Sequence, residues 1–323
     1  MLTAQLIIAR AVHIGASILL AGIFTFDLVI LAPARRVGSG DSYEIEHRLF
    51  RLAAWSIVAA LLSALLWFWL EVASMSGLPL NSAFAVSAWR TVLFETQFGR
   101  LWQLRLGLIV AAFALVATGL AKIKARRVLT PLLWLVSVVF LVSLAWISHA
   151  AAASVRSLGL LGDMLHLCAA GGWIGGLVPL TIFLARVRAP FSSGETVARV
   201  VHRFSTLSLC CASVLVVSGI SNGWLLVGSI HALFTTPYGG LLLFKLTLFA
   251  ILIGFGARNR LLVKAKLLQA PASPDLVFQL RRNVLCEVSL SVAVVAIVAC
   301  LGVTPPARHH DPPQLRRYSI TTR

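Results

Sequence analysis

The stretch GLLGDMLHLCAAGGWIGGLVPLTIFLA, residues 159 to 185, decides how this chain is read. It contains one acid, Asp163, and one histidine, His166, and meets no Lys or Arg until Arg186 closes it. A helix on the surface of a soluble domain needs a polar face, and this stretch has none. At 1.5 Å per residue it is about 40 Å long, enough to cross the ~30 Å hydrocarbon core of a bilayer with some tilt. Water is absent there, so the backbone must satisfy its own hydrogen bonds, and the stretch reads as a transmembrane α-helix.

Seven segments of the same kind accompany it, giving spans at roughly 5–33, 52–75, 102–121, 129–149, 159–185, 204–228, 239–257 and 284–303. The expected fold class is all-α: a polytopic membrane protein, a bundle of about eight transmembrane helices forming one domain over 1–303, followed by a flexible tail over 304–323. The whole composition agrees, with 59% hydrophobic residues, 12% charged residues and a mean hydropathy of +0.91. Soluble domains carry about a quarter charged residues, so a soluble enzyme is excluded. No basic region precedes the first apolar stretch and no small-residue cleavage site follows it, so that segment is expected to stay in the mature protein. Five cysteines without a CxxC pair make neither a disulfide framework nor a zinc site and read as buried thiols. The connection over 76–101, with Trp89, has room for a short interfacial helix. No usable internal repeat is legible.

Lys and Arg are divided unevenly between alternate loops, which orients the bundle. Arg35, Arg36, Arg48 and Arg51 follow the first segment; Lys122, Lys124, Arg126 and Arg127 follow the third; Arg186, Arg188, Arg199 and Arg203 follow the fifth. Arg258, Arg260, Lys264, Lys266, Arg281 and Arg282 follow the seventh, while the facing loops hold Arg90, Arg100 and Arg156 only. Basic loops stay in the cytoplasm, so both termini are expected in the periplasm. Four bases in the tail beyond 304 argue weakly the other way. The net charge of +17 thus reports topology rather than affinity for nucleic acid.

In that orientation His13 early in the first segment, His149 at the end of the fourth and His166 early in the fifth share one depth in the outer leaflet. One histidine near a helix end is as readily an interhelical hydrogen-bonding group. Three at one depth point to a ligand site, because neutral imidazole suits copper, zinc or haem iron and polar groups in a membrane are costly. Asp163 lies three residues before His166 on the same helix face, as an orienting or fourth ligand. The expected metal site is therefore His13, His149, His166 and Asp163, with no catalytic residues.

Within GGWIGG, Gly171 and Gly175, like Gly172 and Gly176, have the spacing at which another helix approaches closely, and Trp173 reads as core packing. On the inner half, Cys210, Cys211, Cys286, Glu287 and Asp27 read as buried packing groups or as an exit station, in which thiolates select Cu(I) and acids assist release. Arg105, Lys245 and Glu71 near helix ends read as snorkelling or paired charges.

The motifs ARAVHIGASILLAG (9–22), TQFGRLWQLRLGL (96–108), DMLHLCAAGGWIGGLVPL (163–180), RFSTLSLCCASVLVVSGISNGWLLVGS (203–229), TPYGGLLLFKLTLF (236–249) and LRRNVLCEVSLSVAVVAIVACLGVTPPARH (280–309) together resemble the CopD family of copper-resistance inner-membrane proteins. The resemblance implies an eight-helix protein of the bacterial inner membrane, associated with copper uptake and working beside a periplasmic CopC-type copper-binding protein. The family's histidine at the start of the first helix matches His13, and that of its DxLH motif matches His166. The chain departs in having three Met and no Met-rich segment, so its copper ligands must mostly be His, Cys or carboxylate. A fused copper-binding domain and an ATPase motif are also lacking in the sequence. The expected function is passage of copper ions across the membrane without catalysis. The competing readings are a b-type haem electron carrier and a membrane scaffold with structural histidines.

Overall fold

A computed structural model describes residues 2–35, 42–77, 86–147, 156–187, 194–269 and 273–306. Eight helices in it are long and apolar enough to span a bilayer: α1 (Thr3–Ala34), α2 (Glu44–Ser76), α3 (Gln97–Ala121), α4 (Ile123–Ile147), α5 (Gly159–Arg186), α6 (Gly194–Trp224), α7 (Pro237–Val263) and α8 (Pro274–Leu301). No strand occurs among the described residues. Short helices, Val86–Glu95 and Ile230–Thr235, precede α3 and α7. The basic loops gather at the end where α1 finishes and α8 begins, the basic end; the other is the terminal end.

Because lipid is as apolar as a protein core, hydrophobicity does not sort these helices, and close backbone approach does. α1 and α5 are the innermost, with 67% of their most apolar window buried, against 6% for α7. They cross at Gly22 and Gly175, where a Cβ on Gly22 would overlap the Gly175 backbone and one on Gly175 would overlap the Ile18 carbonyl. The glycines of GGWIGG thus serve two faces. Gly171 and Gly175 meet α1 at Ala21 and Gly22, while Gly172 and Gly176 meet α6 at Cys211 and Phe204. Large apolar side chains such as Leu62, Val110, Val217 and Ile220 point outward, as lipid requires.

The four helices α1–α4 and the four helices α5–α8 repeat one arrangement, although no repeat was legible in the sequence. α1 packs on α2 and α4 as α5 packs on α6 and α8, and α3 packs on α4 as α7 packs on α8. Across the halves, α1 meets α8 as α5 meets α4. α2 stops at Gly77 and the α6 helix at Gly228, both with the left-handed φ (65° and 77°) that glycine adopts without strain. Thr96 then caps α3 by accepting from Gly99 N (2.9 Å) and donating to Val92 O (2.6 Å). Thr236 caps α7 identically, accepting from Gly239 N (3.1 Å) and donating to Ala232 O (2.7 Å). Gly22 follows His13 by nine residues and Gly175 follows His166 by nine, so the crossing glycines are twins that touch each other. Two halves with an even number of helices enter the membrane in the same sense, about an axis along its normal.

Candidate functional site

Each half builds one histidine against a serine with a cation nearby, and the two outcomes differ: His13 is buried and His166 half-buried. In the first half, His13 is completely buried about 15 Å into α1. Its Nδ1 lies 3.1 Å from Ala60 O, which can only accept, so this nitrogen carries the proton; Ser63 Oγ lies at 3.1 Å as well. Nε2 must then accept, and it does so from Arg105 Nη2 at 2.6 Å. Arg105 stands nine residues after its cap Thr96, is 1% exposed, and also donates to Phe140 O (2.8 Å) and to Ser143 Oγ. Trp102 stacks on the imidazole at 5.6 Å, with Trp67 and Phe140 edge-on. Both nitrogens of His13 are therefore engaged by protein.

In the second half, His166 Nδ1 lies 2.9 Å from Ser218 Oγ, whose own hydroxyl donates to Val214 O at 2.6 Å. Ser218 accordingly accepts from Nδ1–H, and the lone pair of Nε2 has no protein donor among the described residues. The cation in the place of Arg105 is Lys245, nine residues after its cap Thr236, and the residue in the place of Asp163 is Arg10, three before His13. Substituting Lys for Arg removes the planar fork that pins His13. A cavity of about 220 Å³ opens here instead, lined among others by Asp163, His166, Asn222, Tyr238, Lys245 and Arg10.

Asn222 Nδ2 donates to Asp163 Oδ1 at 2.6 Å, while its Oδ1 is buried with no hydrogen-bond partner. Lys245 lies within electrostatic reach of both Asp163 and His166. The guanidinium of Arg10 sits 4.8 Å over the Trp67 ring, within reach of the Glu71 charge. The cavity thus offers an imidazole nitrogen, a carboxylate and an amide oxygen to a cation, while two resident cations weaken the hold.

Of the residues expected at the site, the structure brings Asp163 and His166 together. His13 does not line the cavity; it lies behind Trp67, which does. His149 is outside the described residues, as are His309, His310 and the tail from 307 onward. No group of three or more His, Cys, Asp or Glu is placed to hold a metal among the described residues. Sequence reading did not single out Asn222 or Ser218; their signal is the spacing S-x-x-x-N, one helical turn apart on α6. Nor are the residues considered for an inner station assembled: Cys210 and Cys286 face outward and Cys211 packs at Gly172. Asp27 accepts from Thr130 at 3.0 Å within a π-helical turn, Phe26–Leu31. Glu287 is buried.

Residues 1–159 match the family model described as copper resistance protein D-like, N-terminal domain, and residues 198–301 match copper resistance protein D. The chain is 32% identical over 231 residues to the copper transport protein CutJ of Bacillus subtilis (strain 168), covering 70% of this chain and 42% of that protein. It is 28% identical over 219 residues to copper resistance protein D of Pseudomonas syringae pv. tomato, covering 66% and 70%, and 25% identical over 268 residues to the inner membrane protein YebZ of Escherichia coli (strain K12), covering 81% and 87%. The chain spans less than half the length of CutJ. No solved structure matches it.

Proposed function

This chain belongs to the copper resistance protein D family, a multi-pass protein of the inner membrane, and from that membership and the cavity at His166 we propose that it passes copper ions across the membrane, inward and without catalysis. The observation that carries the reading is the contrast between the two histidines: His13 spends Nε2 on Arg105, whereas His166 keeps Nε2 for a ligand and has its tautomer fixed by Ser218. Asp163 and the orphaned Asn222 oxygen complete a donor set, and Lys245 and Arg10 keep binding weak enough for release, which passage requires. With basic loops in the cytoplasm, the cavity lies in the periplasmic half, where a CopC-type protein delivers the ion. The haem reading is the weaker one, since among the described residues a single histidine lines the cavity.

In proteoliposomes, His166→Ala is expected to cut copper uptake at least about tenfold, and Ser218→Ala to weaken copper binding about 10- to 100-fold by releasing the imidazole. His202→Ala, exposed near the basic end, should change neither. Copper uptake by His166→Ala at the parental rate would refute the site. Reporter fusions check the orientation: a fusion after Arg127 should report cytoplasm and one near His231 periplasm.

A further inference from the structure

Glu287 is 3% exposed and lies thirteen residues into the 28-residue α8, about 20 Å from the basic end and close to the membrane mid-plane. An ionised carboxylate in that position calls for a counter-ion, yet among the described residues no Lys, Arg or His lies within ion-pairing distance of it. A chain of amides meets it instead. Asn259 Nδ2 donates to Glu287 Oε1 at 2.6 Å, Asn283 Nδ2 donates to Asn259 Oδ1 at 2.7 Å, and Trp173 lines the same small cavity as the carboxylate. Asn283 is 3% exposed and Asn259 opens a π-helical turn, Asn259–Val263, a local distortion often found at functional positions.

The direction of this chain is reversible. With Glu287 ionised, both amides donate toward it. With Glu287 protonated, its hydroxyl donates to Asn259 Oδ1 once both amides turn over, and Asn259 Nδ2 donates on to Asn283 Oδ1. Each protonation state is fully bonded, so the carboxyl changes charge without leaving an orphaned group. A cavity of about 40 Å³, room for two or three waters, adjoins it. From α6 the cavity receives Ser205 and Ser208; from α7 Arg260, which donates to Ser205 O (2.9 Å) and Oγ (3.0 Å); and beyond α7 Lys264. α5 contributes Trp173, Leu177 and Leu180, and α1 contributes no residue. The charged groups that share this cavity with Glu287 are thus two cations, Arg260 and Lys264, on the side of the basic end.

We propose that Glu287 is a proton-carrying site. Its carboxyl holds a proton when no ion is passing, releases it toward the basic end when a copper ion neutralises the carboxylate, and takes one up again from the terminal end when the ion leaves, so that one proton crosses with each ion. Trp173 lies seven residues after His166, about 10 Å further along α5, and so stands between the outer cavity and this site. Copper passage is thereby coupled to proton movement, a step that rests on the copper reading above.

The test uses the purified full chain. In proteoliposomes carrying a pH dye, added Cu(I) should drive a change of internal pH that accompanies copper uptake. Glu287→Gln should abolish the pH change and slow copper about tenfold, and Glu287→Asp should restore both. Independently of copper, the infrared difference spectrum between pH 5 and pH 9 should contain a protonated carboxyl band that Glu287→Gln removes. A band unchanged in Glu287→Gln overturns the proposal. Copper movement in the parent without proton movement overturns it and leaves the copper reading standing; no copper movement in the parent overturns both.

Discussion

Leucine at Gly175 is expected to leave no recoverable folded protein. The added side chain begins inside the Ile18 carbonyl and the Gly22 Cα of the facing helix, and backbone cannot step aside as a side chain can. Since α1 and α5 are the innermost helices, parting them opens the main contact between the halves, a loss on the order of the whole stability of a domain. Gly22→Leu should fail equally. Gly107 and Gly254 have nothing within 4 Å of a Cβ, and leucine at either should be silent. The amount of monodisperse protein extracted into mild detergent reads the difference; a normal yield of Gly175→Leu would mean that the two helices do not cross as described.

Arg105→Met should cost about 3 to 5 kcal/mol, the range for breaking a buried, hydrogen-bonded charge network by removing one partner. The substitution orphans His13 Nε2, leaves Phe140 O with the Ser143 hydroxyl alone, and takes the guanidinium off the Phe140 ring, over which it sits at 4.2 Å. His13→Ala strikes the same network from the other side, so the double variant should lose less than the sum of the two. His166→Ala, beside a cavity, should change thermal stability by about 1 kcal/mol or less while removing copper uptake. Unfolding followed by circular dichroism in detergent checks all four proteins. Equal destabilisation by His13→Ala and His166→Ala would remove the distinction drawn between the twins.

The bundle was legible because the solvent writes it into composition: runs of some 20 apolar residues must be helices, and the Lys and Arg of alternate loops sort them by side. Asp163 with His166 was legible from one turn of helix, and the close approach at GGWIGG from its small residues. Four features were not. The depth shared by His13 and His166 says nothing of azimuth, and it is the position of Arg105 on a third helix that takes His13 away from the cavity. Arg105 and Lys245, read as snorkelling or paired charges, take the second course: Arg105 is buried against His13, and Lys245 is turned into the cavity within reach of Asp163. The repeat is hidden in the sequence because few of its paired positions keep the same residue type: Arg10 stands against Asp163 and Arg105 against Lys245, and only the capping threonines Thr96 and Thr236 align them. Glu287 was read beside Cys286, a neighbour in sequence that faces the opposite way.

In an assembly of two identical subunits every substitution lands twice, so a ligand pocket and a structural pin of common design cannot coexist there. Joining the two copies in one chain breaks that symmetry. One histidine can be fastened by an arginine, giving the pair of inner helices a rigid pivot, while its counterpart is left with a vacant nitrogen and a lysine for a neighbour. Rigidity and open space are then assigned to different halves of the molecule, meeting at two glycines with no side chain between them.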